Sequence, residues 1–264
     1  MKVSIITVNY NDRVGLESTI CSVLKQDCSD FEYIIIDGGS TDGSVDVIQH
    51  YADKINYWIS EKDRGIYHAM NKGVAHTHGD YCLFLNSGDS FCHTSVLKNI
   101  MALNYSEDII VGKVIAKDKQ TELFIPPLKE ISMYYLYSAT ISHQGAFIKT
   151  EMLRKTPYDE QLKIVSDWKF FLESIVFNNC SIRYVDERVA YFDTTGISTS
   201  NPEQMWAEKI KVLSEKLPPR VLIDYERMKA SECLTQELTP FLRKQYGIDR
   251  IMYYIGRFLV NIFK

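Results

Sequence analysis

The sequence predicts an α/β protein: a mostly parallel sheet with flanking helices, followed by a C-terminal helical extension. Three observations predict it. From Lys2 to about Asn86, short β-branched runs alternate with helical patterns, as βαβ units and a parallel sheet do. From Pro202 onward helical periodicity dominates, broken by Pro218-Pro219 and by Gly247. The 264 residues are 45% hydrophobic and 24% charged, which excludes a disordered chain and leaves room for one large domain or two small ones.

Taken in order, the strands of the first half are KVSIITVNY, EYIIIDG, NYWIS and DYCLFLN, with helices between them near Val14–Gln26, Ser44–Ala52 and Ile66–His76. Each strand gives way to an Asp/Gly/Ser/Thr turn. After a helix near Thr94–Leu103 the pattern is mixed: strand DIIVGKVIA, apolar helix EISMYYLYS, strand QGAFIK, helix SDWKFFLESIVF and a β-pair IRYVDE/RVAYFD. An open sheet binds its ligand beyond the carboxyl ends of its strands. That rule selects Thr7–Asn11, Asp37–Gly43, Glu61–Gly65 and Asn86–Asp89 as one convergent polar edge.

Charge and targeting signals narrow the function classes. With 34 acidic and 30 basic residues the formal charge is -4, so there is no overall electrostatic case for nucleic acid. The opening MKVSIITVNYND has too short an apolar part for a signal peptide and reads as a first strand. No run approaches the roughly 20 apolar residues of a membrane span. Six cysteines are scattered without a CxxC pair, which fits a reducing cytoplasm.

Two constellations carry chemistry. In IIIDGGSTDGS an apolar strand ends in Asp37 and two glycines. A carboxylate there can accept hydrogen bonds from a base or a ribose, while glycines admit a ligand to the backbone. A plain turn with Ser40 or Thr41 as N-cap is the competing reading, and the dinucleotide fingerprint GxGxxG is absent after the first strand. In FLNSGDS, Asp89 stands just past the fourth strand, where a carboxylate can hold magnesium or manganese against a diphosphate.

Five ordered segments now carry a resemblance: VSIITVNYND, IIIDGGSTDGS, SEKDRGIYHAMNKGVAHTHGDYCLFLNSGD, SHQGAFIK and VSDWKFFL. In order and spacing they resemble the inverting family 2 glycosyltransferases of the bacterial surface-polysaccharide type. The resemblance implies the GT-A fold, a Rossmann-like sheet, over residues 1–200. Within it, residues 1–90 would form a nucleotide-binding half and 91–200 an acceptor-binding half, with 201–264 as the helical extension.

Carried over residue by residue, the family's uracil-contacting acid falls on Asp37, and Thr7, Asn9 and Tyr10 line the nucleotide pocket. Asp63, Arg64, Asn71 and Lys72 lie along the donor's ribose and phosphates. The metal-binding Asp-x-Asp motif falls on Asn86–Asp89, where only Asp89 keeps a carboxylate, so a manganese or magnesium ion would lean on the donor diphosphate itself. His143 and Gln144 fall where the family has polar residues near donor or acceptor, with a structural histidine as the alternative. The catalytic base falls on Asp167, which takes the proton from the acceptor hydroxyl as it attacks the anomeric carbon. A first-turn helix acid behind a Ser166 cap is the compatible structural reading of Asp167. Trp168 is a candidate to stack on an acceptor sugar, with a core role as its alternative.

The processive Gln-x-x-Arg-Trp motif is absent, so transfer of one sugar from a nucleotide-sugar donor, UDP-linked by resemblance, to a lipid-linked or oligosaccharide acceptor is the expected activity. A sugar-1-phosphate nucleotidyltransferase would carry a Gly-rich basic loop after the first strand, where this chain has NYNDRVG. A non-catalytic nucleotide-sugar-binding protein is the other alternative. In residues 250–264, Ile251, Ile255, Phe258, Leu259 and Ile262 recur at helical spacing opposite Arg250, Arg257, Asn261 and Lys264. This basic amphipathic segment suits the anionic inner face of the cell membrane, against the alternative of packing on the domain or in a homodimer.

Overall fold

Parallel pairing in the first half follows from strands apolar on both faces, since such strands need cover on both sides. In the computed structural model, which describes residues 1–103, 105–116, 121–122, 131–193 and 201–246 (backbone alone at 121–122 and 235–246), the three inner strands of that half are covered on both faces and the edge strand is half-buried. The amphipathic segment 250–264 lies outside the described residues. The chain divides into two compact units, Met1–Val212 and Leu213–Lys264.

The first unit contains a nine-stranded sheet. Its parallel part joins β3 (Tyr57–Ser60), β2 (Phe31–Asp37), β1 (Val3–Asn9) and β4 (Tyr81–Phe84) in that spatial order. The helices α1 (Arg13–Leu24), α2 (Ser44–His50) and α3 (Ile66–Ala75) make the crossovers. Alternate side chains divide between the two faces. Ile5, Tyr33, Ile35 and Leu83 pack with Leu16 and Ile20 of α1, whereas Ile6, Ile34, Ile36 and Phe84 pack with Met70 and Val74 of α3.

Beyond β4 the sheet turns mixed. β5 (Ser90–Phe91), α4 (Val96–Met101), β6 (Ile109–Ala116), β7 (Thr121–Glu122) and α5 (Met133–Ser138) lead to β8 (Ala146–Lys149), which runs antiparallel to both β4 and β6. After β8 come α6 (Thr150–Lys155) and α7 (Ser166–Leu172), and a π-helical turn over Glu173–Phe177 continues α7. The expected β-pair IRYVDE/RVAYFD is instead one strand, β9 (Ile182–Phe192), parallel to β6. Its polar middle is a register irregularity against Val111–Val114. Gly112 makes room for it, because a Cβ there would stand 2.4 Å from Val189 and 2.9 Å from the Glu187 carbonyl. The helix α8 (Pro202–Lys216) follows, and α9 (Pro219–Tyr246) belongs to the second unit. Among the described residues no helix is long and apolar enough to cross a membrane.

Candidate active site

Parallel register sets Asn9 beside Asp37 and Asp37 beside Ser60, so three strand ends deliver polar side chains to one point. Asp37 is the hub. Its carboxylate accepts from Asn9 Nδ2, Ser40 Oγ and Ser60 Oγ, each at 2.6 Å, and from the backbone N–H groups of Ser40 at 2.9 Å and Gly39 at 3.2 Å. Burial pushes its pKa up, but the hydroxyls of Ser40 and Ser60 outweigh burial and hold the carboxyl below its ordinary range. The residue is wholly buried and its acceptor capacity is filled. The carboxylate thereby braces the ends of β1, β2 and β3 where a base or ribose contact was expected of it.

A different acid has the unfilled oxygen. Asp63 Oδ1 meets His68 Nδ1 and Lys72 Nζ, both at 2.7 Å, while its buried Oδ2 has no donor among the described residues. That oxygen lies 3.6 Å from where a Cβ on Gly38 would stand, and the Tyr10 ring lies 3.2 Å from the same point. Glycine at 38 therefore keeps a cleft open between Tyr10, which is 69% exposed, and Asp63. Lys72 also pairs with Glu61 at 2.9 Å.

Other residues of this half sit differently from expectation. The Thr7 hydroxyl donates to the Leu85 carbonyl at 2.7 Å and meets Tyr33 Oη at 3.0 Å inside the sheet, so Thr7 packs in the core rather than lining a pocket. Asn71 spends its amide on the Tyr158 backbone, donating to the carbonyl at 2.8 Å and accepting from the N–H at 2.9 Å. It clamps the loop before α7 instead of reaching along a donor. Arg64 is 70% exposed and pairs with Glu160 at 2.5 Å, a surface contact weak enough to exchange for a phosphate.

From Asp37 a line of contacts runs along the sheet edge into the second half. Asn9 Oδ1 accepts from Ser87 Oγ at 2.7 Å, and the neighbouring Asn86 meets His143 Nε2 at 3.3 Å. His143 Nδ1 reaches Asp167 Oδ2 at 3.0 Å. Burial pulls the His143 pKa down, but Asp167 outweighs it and raises it. Burial likewise pushes Asp167 up, and His143 outweighs it, leaving the carboxyl below its ordinary range. Both shifts favour the ion pair, and the two titrations are linked. With both imidazole nitrogens protonated, Nε2–H needs an acceptor. Turning the Asn86 amide end for end supplies Oδ1, a buried oxygen otherwise without a donor.

Tyr67 is a neighbour that sequence reasoning missed. Its hydroxyl lies 2.9 Å from Asp167 Oδ1 and 2.7 Å from the Ile164 carbonyl, a contact between α3 and α7 that no local pattern records. Ser166 is the first residue of α7 rather than its cap, and its Oγ has no partner. Trp168 is corrected as an acceptor platform. It is buried, donates Nε1–H to the Leu136 carbonyl at 2.6 Å, and carries Lys209 over its ring at 4.9 Å.

The sheet edge thus carries a half-buried aspartate paired with a histidine. The family model "Glycosyl transferase family 2" matches residues 4–162. The chain belongs to glycosyl transferase family 2. The glycosyltransferase is 31% identical over 207 residues to an uncharacterized glycosyltransferase of Mycobacterium tuberculosis, covering 75% of this chain and 77% of the relative. It is 27% identical over 230 residues to a PGL/p-HBAD biosynthesis glycosyltransferase of Mycobacterium bovis, covering 83% and 88%. A crystal structure of S. aureus TarS residues 1–349 in complex with UDP-GlcNAc superposes with a TM-score of 0.63 at 21% identity, covering 81% of this chain and 71% of that one. The shared fold is GT-A.

The metal expectation of this glycosyltransferase falls on Asp89. Its carboxylate is buried and accepts from the backbone N–H groups of Asn86 at 3.1 Å and Asp193 at 3.0 Å. Burial pushes its pKa up to about 6. Asp89 thus ties the end of β9 to the loop after β4. Gly88, at φ +91°, has no room for a side chain, since a Cβ there would lie 3.1 Å from Asp193 Oδ2. The Asp193 carboxylate fills that space. Among the described residues no three His, Cys, Asp or Glu side chains gather as a metal cage. One carboxylate beside a diphosphate nevertheless fits magnesium or manganese, which commonly take one or two protein carboxylates plus substrate phosphates.

Proposed function

We propose that this glycosyltransferase moves one sugar from a UDP-linked hexose or N-acetylhexosamine to a lipid-linked or oligosaccharide acceptor in surface-polysaccharide assembly, with inversion. The observation that carries the reading is the half-buried, ionised Asp167 held by His143 and Tyr67 at the ligand edge of the sheet. Support for the donor comes from the UDP-GlcNAc complex of the TarS structure, and support for the pathway class from the biosynthetic name of the Mycobacterium bovis relative. In this reading residues 1–90 bind the nucleotide and 91–200 the acceptor.

Each residue has one task. Tyr10 offers its exposed ring to the base, and Asp63 Oδ2 accepts a ribose hydroxyl or base N–H. Arg64 and Lys72 turn from their carboxylate partners toward the diphosphate. Asp167 takes the proton of the acceptor hydroxyl, whose oxygen forms the new bond as the anomeric C–O bond breaks toward the nucleoside diphosphate. Asp193 is the side chain that would hold a divalent cation, which when bound supplies neutralisation of charge on the departing diphosphate.

Donor turnover tests the reading. Incubated separately with UDP-glucose, UDP-galactose and their N-acetylhexosamine counterparts plus manganese, the protein should release UDP from one donor well above the rest. Binding of a donor without release of UDP from any of them, also in the presence of lipid and oligosaccharide acceptors, would identify a sensor instead. We also propose that residues 250–264 rest on the inner face of the cell membrane. Vesicle co-sedimentation should then rise with anionic lipid and fall with salt, at about 1 kcal/mol per basic residue. Vesicle binding that survives deletion of 250–264 removes the membrane role.

A further inference from the structure

The hydroxyl of Tyr67 has one proton and two buried acceptors. The Ile164 carbonyl lies 2.7 Å away and Asp167 Oδ1 2.9 Å away, and the backbone N–H groups of Ser166 and Asp167 face the hydroxyl oxygen as donors. Both distances suit a hydrogen bond, yet one proton serves one of them fully. The acceptors differ in kind: the carbonyl is always neutral, whereas Asp167 is charged or neutral according to its proton. Which acceptor is stronger therefore depends on the state of Asp167.

We propose that Tyr67 is a positioning residue whose hydroxyl follows the proton of Asp167, donating to Oδ1 while the carboxylate is ionised and turning to the Ile164 carbonyl once Asp167 is protonated. The inference deepens the assignment of Asp167 as base and rests on it for its part in transfer. When the acceptor O–H bond breaks and the proton joins Asp167, the carboxyl becomes a poor acceptor. The Tyr67 proton then has the carbonyl at hand, and an Oη lone pair can turn from the backbone N–H groups of Ser166 and Asp167 to the new carboxylic O–H. No buried donor is stranded in either state, which keeps proton uptake from costing an unsatisfied group.

The surroundings allow the turn. The loop that presents Ile164 is anchored without Tyr67, through Asn71 on the Tyr158 backbone and through Glu208, which accepts from the Ile164 N–H at 3.0 Å. The titratable groups that face Asp167 are His143 at 3.0 Å, Tyr67 itself and the Tyr158 ring, with Asp89 acting on His143 from the loop after β4. Of these, Tyr67 alone contacts both the carboxylate and a backbone acceptor.

The test is nuclear magnetic resonance on the full chain labelled at the aspartate γ-carbon and the tyrosine ζ-carbon. Asp167 is assigned by the signal lost in Asp167→Asn. In Tyr67→Phe the Asp167 midpoint should rise by about one pH unit, because the ionised form has lost a donor. A merely structural Tyr67 would lower Tm and leave that midpoint in place, which overturns the proposal. In the unmodified protein, where folding of the variant is not at issue, the Tyr67 ζ-carbon should shift with the same midpoint as Asp167. A flat ζ-carbon trace through the Asp167 transition also overturns it. Full turnover by Asp167→Asn, with the two carbons still titrating together, would instead remove Asp167 as base and leave the coupled hydroxyl standing.

Discussion

Asp37, wholly buried, and Asp167, half-buried, are two carboxylates on one sheet edge, joined by a line of contacts through Asn9, Ser87, Asn86 and His143, and their partners differ in kind. Asp37 is surrounded by hydroxyls, an amide and backbone N–H groups, none of which titrates near neutral pH. Asp167 is shared between an imidazole and a phenol. A carboxylate saturated by neutral donors is fixed in place and in charge, which suits a scaffold. One held by titratable partners keeps its position while its proton state changes, which suits a base. The difference teaches that burial and a lowered pKa, common to both, do not identify a catalytic acid; the partners do.

The sharpest way to break the comparison is Asp37→Ala. It strands the Asn9 amide, two hydroxyls and two N–H groups at once, so unfolding free energy should fall by about 3–5 kcal/mol. UDP affinity should fall too, through the loosened strand ends. Because the folded Asp37 value lies below the unfolded one, its stabilisation is complete above the unfolded carboxylate range and is lost as pH drops through the folded value. Denaturant melts of the parent and Asp37→Ala between pH 7 and pH 2 should therefore converge on acidification. Parallel curves would show that Asp37 does not hold its pocket as a charge.

A third buried acid sharpens the contrast. Asp89 is held by backbone donors and the Gln144 side chain, and burial outweighs these and the His143 charge, raising its value from 3.8 to about 6. Here the sign is reversed: the folded state binds a proton that the unfolded state lacks between those values, so this group's contribution to stability declines as pH rises through them. Asp89→Asn should remove that decline, a change of about 2 kcal/mol in the parent-minus-variant difference between pH 4 and pH 7.

Asp193→Asn, by contrast, should leave stability nearly unchanged. It should instead weaken manganese binding to the UDP-bound protein by about tenfold, read calorimetrically. Manganese affinity lost with Asp89 and retained without Asp193 would return the metal to the residue the sequence points to.

Much of this was legible in the chain. Continuous apolar strands ending in Asp, Asn and Gly fixed the parallel half, and the four polar segments do share contacts along one edge. What sequence could not supply is side-chain direction and long-range contact. Thr7 and Trp168 read as ligand contacts by motif position, yet Thr7 points between strands and Trp168 into the core. Tyr67 escaped, and Asp193 stayed without an assigned role, because their partners stand about 100 residues away in the chain. The single strand β9 was taken for a pair because an irregular register, made possible by Gly112, is polar like a turn.

The base assignment is tested most directly by Asp167→Asn assayed two ways with the donor that turns over. The variant keeps the shape beside His143 and Tyr67 but cannot take a proton, so UDP-sugar affinity should stay within about twofold while transfer falls by roughly 10²-fold or more. Transfer within about threefold of the parent at unchanged affinity would contradict the account and place the base elsewhere.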